Sequence, residues 1–261
     1  MSEVVVPAAW LAERLDDVRV VDVRDAWEYD GIGHVPGAVN VPFDSFRSET
    51  AGEAGMLPGA DRFAGLMSEA GVGTDEELVA YDDTHGVFAA RLLVTAELYG
   101  HDPARLHLLD GDFSAWRLAH ETSDETPEPE SADYEASFQR GGPLVEFGIV
   151  EAAIDDPDTV IVDTREEWEY EEGHIPGSVR LDWRELVDDD SRGLEPEADL
   201  RELLEARGIT PDRRVLLYCN TARRISHTYT VLRHLEYPEL AFYEGSLTEW
   251  EAEGGELETG A

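Results

Sequence analysis

The chain repeats itself, and the repeat constrains its architecture more than any other feature. Val20-Val-Asp-Val-Arg-Asp-Ala-Trp-Glu-Tyr29, followed by Gly33-His-Val-Pro-Gly-Ala38, returns as Val160-Ile-Val-Asp-Thr-Arg-Glu-Glu-Trp-Glu-Tyr170, followed by Gly173-His-Ile-Pro-Gly-Ser178. Asp22 and Asp163 are 141 positions apart, and His34 and His174 are 140 apart. Leu78-Val-Ala-Tyr-Asp82 matches Leu216-Leu-Tyr-Cys219 at an offset of 137. Leu109-Asp-Gly-Asp-Phe-Ser-Ala-Trp116 matches Tyr243-Glu-Gly-Ser-Leu-Thr-Glu-Trp250 at 134. Four landmarks in one order with slowly shrinking offsets mean a duplicated domain.

Each copy alternates short apolar runs with amphipathic stretches. In the second, residues 160–162, 215–218 and 240–243 read as strands, and 200–207 and 225–235 as helices. Ile225, Tyr229, Leu232 and Leu235 carry the helical spacing of the last stretch. Gly208, with Pro211 beyond it, reads as a C-cap. This alternation predicts an α/β fold in which each copy is a mostly parallel sheet with helices on both faces. Between the copies, residues 120–133 are acidic, hold two prolines and have almost no apolar content, so they read as an exposed linker. The expected division is 1–120, a linker at 121–143, and 144–261. Residues 47–55 read as a surface loop, and the tail from Gly254 as frayed.

The copies differ where the second carries the only cysteine, Cys219. Val215-Leu-Leu-Tyr-Cys-Asn-Thr-Ala-Arg-Arg-Ile-Ser-His227 reads as strand, tight loop and helix. Ligands of parallel sheets bind at the carboxyl ends of strands, which is where Cys219 falls. A thiol there meets loop N–H groups, the positive end of a helix and the charges of Arg223 and Arg224. That setting favours thiolate over thiol and also binds an anion. The expectation is a nucleophilic cysteine that attacks or carries part of an anionic donor; the competing reading is a small buried hydrophobe.

Composition bounds the partners. Acidic residues number 59 against 20 basic ones, a net charge of −39, and every basic residue is arginine. Self-repulsion on this scale weakens a fold in dilute salt, and molar salt screens it. A salt-adapted cytosol, such as that of a halophilic archaeon, is therefore expected. Nucleic acid is excluded as a partner by repulsion of its phosphates. No run of 18 apolar residues offers a membrane span, and no secretory signal opens the sequence. A single cysteine forbids an internal disulfide and fits a reducing cytoplasm. Scattered histidines and one cysteine give no metal-ligand spacing, so neither metal nor cofactor is expected.

The Asp-x-Arg…Gly-His-[Ile/Val]-Pro-Gly box occurs twice, the Tyr-Cys loop once and the Gly-x-x-x-x-Trp box twice. Together they resemble the rhodanese family of sulfurtransferases in its tandem two-domain form, and Met56-Leu-Pro58 resembles a piece of that form's first domain. The resemblance implies a catalytically silent first copy, here with Asp82 in place of the thiol. It also implies that Cys219 takes up a sulfane sulfur as a persulfide and passes it to a thiophilic acceptor. Phosphatase relatives carry arginine after five intervening residues, a position held here by Ile225; Arg224 follows four, the shorter loop of sulfur-transferring members. Basic loop residues resemble the thiosulfate-using members, and the neutral Cys-Gly-Ser-Gly-Val-Thr loop of mercaptopyruvate-using members is absent. Asn220 and Thr221, however, stand where thiosulfate enzymes carry basic residues, and Ala222 where glycine is usual.

The implied site is Cys219 as nucleophile, with donor contacts from Asn220, Thr221, Ala222, Arg223, Arg224 and Arg165. Arg224 together with Arg223 is expected to neutralise leaving sulfite; the alternative is that one of the pair turns toward surface acid, Arg223 being the one expected to do so. Ser226 and His227 are expected to be exposed or capping. Asp22, Arg24, Asp163, Arg165, His34 and His174 recur in both copies, which argues for structural duty, with Arg165 retained as a minor donor contact. Trp116 and Trp250 read as packing residues, and Arg91 as facing an interface. The implied reaction moves sulfur from thiosulfate to cyanide or a thiol. A 3-mercaptopyruvate sulfurtransferase and a persulfide relay to a partner protein are the alternatives.

Overall fold

In the computed structural model, residues 3–49, 56–139, 141–220 and 222–260 are described. Thr221 and most of the expected loop at 47–55 lie outside them. The chain forms two compact units, Glu3–Arg140 with Asp189–Gly193, and Gly141–Asp188 with Leu194–Ala261.

In the first unit, strands β1 (Val5–Val6), β2 (Arg19–Asp22), β3 (Val39–Asn40), β4 (Leu78–Tyr81) and β5 (Leu106–Leu109) pair in the order β1-β5-β4-β2-β3, all parallel. Helices α1 (Ala8–Ala12), α2 (Ala26–Ile32), α3 (Ala60–Glu69), α4 (Val87–Leu98) and α5 (Asp112–Ala119) connect and flank them. The second unit has helices α6 (Phe147–Ala153), α7 (Glu167–Glu172), α8 (Glu197–Ala206), α9 (Arg223–His234) and α10 (Ser246–Ala252). Its strands β6 (Thr159–Asp163), β7 (Val179–Arg180), β8 (Arg214–Tyr218) and β9 (Leu240–Phe242) pair as β7-β6-β8-β9, again all parallel. Every residue of β4 and β6 is buried, which is why these strands read as apolar runs without alternation. Gly208 follows α8 at φ +71°, the left-handed geometry expected after a helix end. Among the described residues no helix is long and apolar enough to cross a membrane.

The repeated motifs build one polar frame per unit. In the first, Asp22 accepts from Arg24 N, Nε and Nη2 and from Tyr81 Oη, and Tyr81 Oη accepts from Val35 N at 3.0 Å. In the second, Asp163 accepts from the same three groups of Arg165, and Tyr218 Oη accepts from Ile175 N at 3.0 Å. Arg24 and Arg165 also donate to Gly33 O and Gly173 O. Both ion pairs are buried. Burial, then the adjacent Asp22 or Asp163 carboxylate, pushes the Tyr81 and Tyr218 phenols well above their ordinary value. The frame locks the end of the first long strand, the end of the strand that precedes the loop, and the Gly-His-x-Pro-Gly turn to one another. The histidine of each turn stacks on a tyrosine four or five residues earlier, His34 on Tyr29 at 3.9 Å and His174 on Tyr170 at 3.7 Å.

Two expectations need correction. The tail is not frayed: Glu258 pairs with His174 through both backbone bonds at 2.9 Å, and Gly260 N donates to Glu171 O. The corresponding segment after the first copy does the same, with Ser123 paired to His34. The linker is exposed but not loose, since Ala132 N, Ser137 N and Gln139 N donate to Ser68, Tyr99 and Leu98 carbonyls of the first unit. The tryptophan of each copy fastens its strap, Trp116 Nε1 donating to Glu121 O and Trp250 Nε1 to Glu256 O. Both tryptophans are core residues. Arg91, on α4, is fully buried.

Candidate active site

Cys219 lies at the carboxyl end of β8, beside the equivalent end of β6, where Asp163 pairs with Tyr218. It is 1% exposed. A small cavity of about 30 Å³ lies over it, lined by Cys219, Asn220, Arg223 and Arg224. That space admits an atom of the size of a water oxygen or a sulfur beside the thiol. The structure therefore brings the thiol and both arginines together, as expected. Ala222 caps α9 at φ 56°, so an L-residue occupies the left-handed region at the base of the loop.

Arg223 and Arg224 both line the cavity, and Arg224 is held there by an acidic partner. Arg224 Nη1 donates to Glu169 Oε2, forming an ion pair with a carboxylate that is 7% exposed. Glu169 Oε1 accepts from Asn220 Nδ2 at 2.7 Å. Burial would raise the Glu169 carboxyl, but the Arg224 bond, the Glu166 amide and the Asn220 amide together hold it below its ordinary value. Arg165 is committed to Asp163 and Gly173 O and reaches the loop only through a 3.5 Å approach of Nη1 to Asn220 Oδ1. It sits at the edge of the loop, as a brace.

Ser226 and His227 are fully buried, not exposed and not capping. Ser226 Oγ donates back to Ala222 O at 2.8 Å, and the His227 ring packs edge-on against Trp183 at 5.6 Å. A residue that sequence reading missed stands closer to the thiol. Ser246 Oγ accepts from Cys219 N at 3.1 Å, donates to Tyr243 O at 2.9 Å and lies 4.0 Å from Cys219 Sγ. Its place in the repeated Gly-x-x-x-x-Trp box, opposite Asp112, was the available signal.

The twin loop in the first unit shows what such a loop does with negative charge. The Asp82 carboxylate accepts from the amides of Thr84, Gly86, Phe88 and Ala89 at 2.7, 2.8, 2.7 and 3.0 Å. A strand–loop–helix of this build converges its N–H groups on the side chain at the strand end, which is an anion cradle. Here the chain's own carboxylate fills it.

The rhodanese-like domain family matches this chain twice, over residues 7–119 and 147–253. A thiosulfate sulfurtransferase of Pseudomonas aeruginosa is 31% identical over 92% of this chain and 91% of its own length. The sulfur carrier protein TtuD of Thermus thermophilus is 30% identical over 95% of this chain and 93% of its own. The crystal structure of SseA, the 3-mercaptopyruvate enzyme of Escherichia coli, superposes with a TM-score of 0.82 at 26% identity, covering 93% of this chain and 98% of that one. By its parallel sheets, its repeated boxes, its single loop cysteine and these matches, the chain belongs to the rhodanese family as a member with two rhodanese-like domains in tandem.

Proposed function

We propose that the protein is a thiosulfate sulfurtransferase in which Cys219 carries the sulfur. The single observation that carries this reading is the small cavity that joins the Cys219 thiol to two arginines. It suits a transferred sulfur atom beside the thiol with an anionic head against the arginines, and the four residues between Cys219 and Arg224 match the shorter loop of sulfur-transferring members. The Cys219 thiolate attacks the outer sulfur of thiosulfate; a new S–S bond forms, the old one breaks, and its electron pair leaves on sulfite. Cyanide or a thiolate then attacks the outer persulfide sulfur, and the electron pair of the breaking S–S bond restores the Cys219 thiolate. Arg223 and Arg224 oppose the charge of donor and leaving group. Asn220 holds the loop against Glu169, Ala222 sets its turn, Thr221 lies beside it in the sequence, and Arg165 braces it from β6. Ser226 and His227 are fully buried, and neither is assigned as a base.

In this reading residues 1–120 form the silent copy, 121–143 the connection and 144–261 the catalytic copy. The lone cysteine and the acidic, lysine-free composition support a reducing, salt-rich compartment. A 3-mercaptopyruvate donor is the second reading, favoured by the likeness to SseA. Turnover of the two donors with cyanide, in molar salt, on wild type and Cys219→Ser decides between them. We expect faster thiocyanate formation from thiosulfate and none from Cys219→Ser. Faster turnover of mercaptopyruvate would transfer the reading to the second donor, and equal activity of both proteins would remove Cys219 from the chemistry.

A further inference from the structure

Glu28 and Glu169 occupy the same place in the repeated motif, on the first turn of α2 and of α7, and each closes the same capping box with the residue three before it. Their surroundings differ. Glu28 is half-buried and bonds back to Asp25 N. Glu169 is buried and, besides the box, holds both ends of the thiol loop: Asn220, one residue after Cys219, and Arg224, five after it. The extra bonds occur only in the copy with the thiol.

We propose that Glu169 is the positioning residue that sets the charge of the sulfur site. It fixes Arg224 at the rim of the cavity and offsets its charge, so an anionic donor is attracted but the anionic leaving group is not retained. A carboxylate against the guanidinium lowers the positive potential at the thiol and at the donor head group. Removing that charge while keeping the side chain's shape therefore tightens anion binding and favours the thiolate. Glutamine serves in a capping box as glutamate does, so Glu169→Gln removes the charge and spares the start of α7. The proposal rests on Cys219 as the sulfur carrier, and its test reads the thiol independently of any donor.

The test is the pH profile of Cys219 alkylation by uncharged iodoacetamide, together with thiosulfate KM and kcat at matched salt, for wild type, Glu169→Gln and Glu28→Gln. For Glu169→Gln we expect half-reaction at a pH about one unit lower, as for loss of one charge beside a titrating group. Thiosulfate KM should fall about fivefold, with no matching gain in kcat, because the added potential acts on ground-state anion binding. Glu28→Gln should move neither. Arg224→Gln, which removes the opposite charge, should shift alkylation the other way. Should Glu169→Gln fail to fold, Glu169→Asp, which keeps the charge but withdraws it by one methylene, should shift the profile in the same direction by less. A folded Glu169→Gln with the wild-type alkylation profile and KM would overturn the proposal while leaving sulfur transfer intact. A shifted profile in a protein that never uses thiosulfate would uphold Glu169 and overturn the donor.

Discussion

The loops after β4 and β8 leave equivalent strands within the same frame of aspartate, arginine, tyrosine and a histidine-proline turn, yet they are finished differently. In the first unit, α4 begins at Val87, five residues beyond Asp82, and the Asp82 carboxylate satisfies four loop amides. In the second, α9 begins at Arg223, four residues beyond Cys219, and the thiol faces a small cavity edged by arginines. Side chains found in both units build the scaffold. Side chains found in one unit carry the difference in chemistry. By that division Asp82 is a structural anion that occupies its own binding site, and Cys219 keeps the equivalent site for a substrate.

The shared frame can be broken in either unit. Asp22→Ala and Asp163→Ala each strand a buried arginine, and each should cost about 3–5 kcal/mol in denaturant unfolding. A marked inequality between the two would mean that the frames are not equivalent. Substitution at the strand end should separate the loops next. Asp82→Ala deprives four amides of their acceptor and should cost about 3 kcal/mol, whereas Cys219→Ala removes one small buried group and should cost about 1 kcal/mol. Equal costs would erase the contrast between a structural and a chemical residue.

Loop backbones give a smaller, opposite pair of effects. Gly86 caps α4 at φ 82°, and a Cβ there would meet Leu108 Cδ2 at 3.0 Å, so Gly86→Ala should destabilise the first unit by about 1–2 kcal/mol. Ala222 already stands in that region, and Ala222→Gly should stabilise the second unit by up to about 1 kcal/mol, read as a rise in melting temperature. The smallest contrast is in acid. Burial raises the Asp82 carboxyl above 3.8, its amide bonds pulling it part of the way back, so the folded state holds a proton more readily than the unfolded chain. Its contribution improves as pH falls through that raised value toward 3.8. Glu169 is held below 4.5, so its contribution is full above 4.5 and is lost as pH falls through its lower folded value. Relative to wild type, Asp82→Asn and Glu169→Gln should therefore change melting temperature with opposite slopes between about pH 6 and about pH 3.5.

The scaffold was legible because it was written twice. The duplication itself marked Asp22, Arg24, Asp163 and Arg165 as structural, and apolar runs located the buried parallel strands. The same reasoning concealed Glu169: identical to Glu28 in its motif, it meets Arg224 across 55 residues of chain, a contact no local pattern encodes. It also left the acidic partner of Arg224 unnamed, because sequence gives a residue's charge but not its partners. Ser226 and His227 looked exposed since they are polar. Helix α9 is buried on nearly every face, and its hydroxyls bond back to their own helix, Ser226 to Ala222 O and Thr230 to Ser226 O. The tail looked frayed from its glycines and glutamates, yet its pairing to His174 uses backbone groups that any side chain would allow.

One thiol distinguishes the second of two related loops. The direct test is the intact and peptide mass of the protein after exposure to thiosulfate in molar salt, before any acceptor is added. We predict one sulfur, about 32 Da, removable by cyanide and confined to the peptide that contains Cys219, as persulfide chemistry requires. An unmodified Cys219 in a protein that still produces thiocyanate would contradict the division of labour between the two copies.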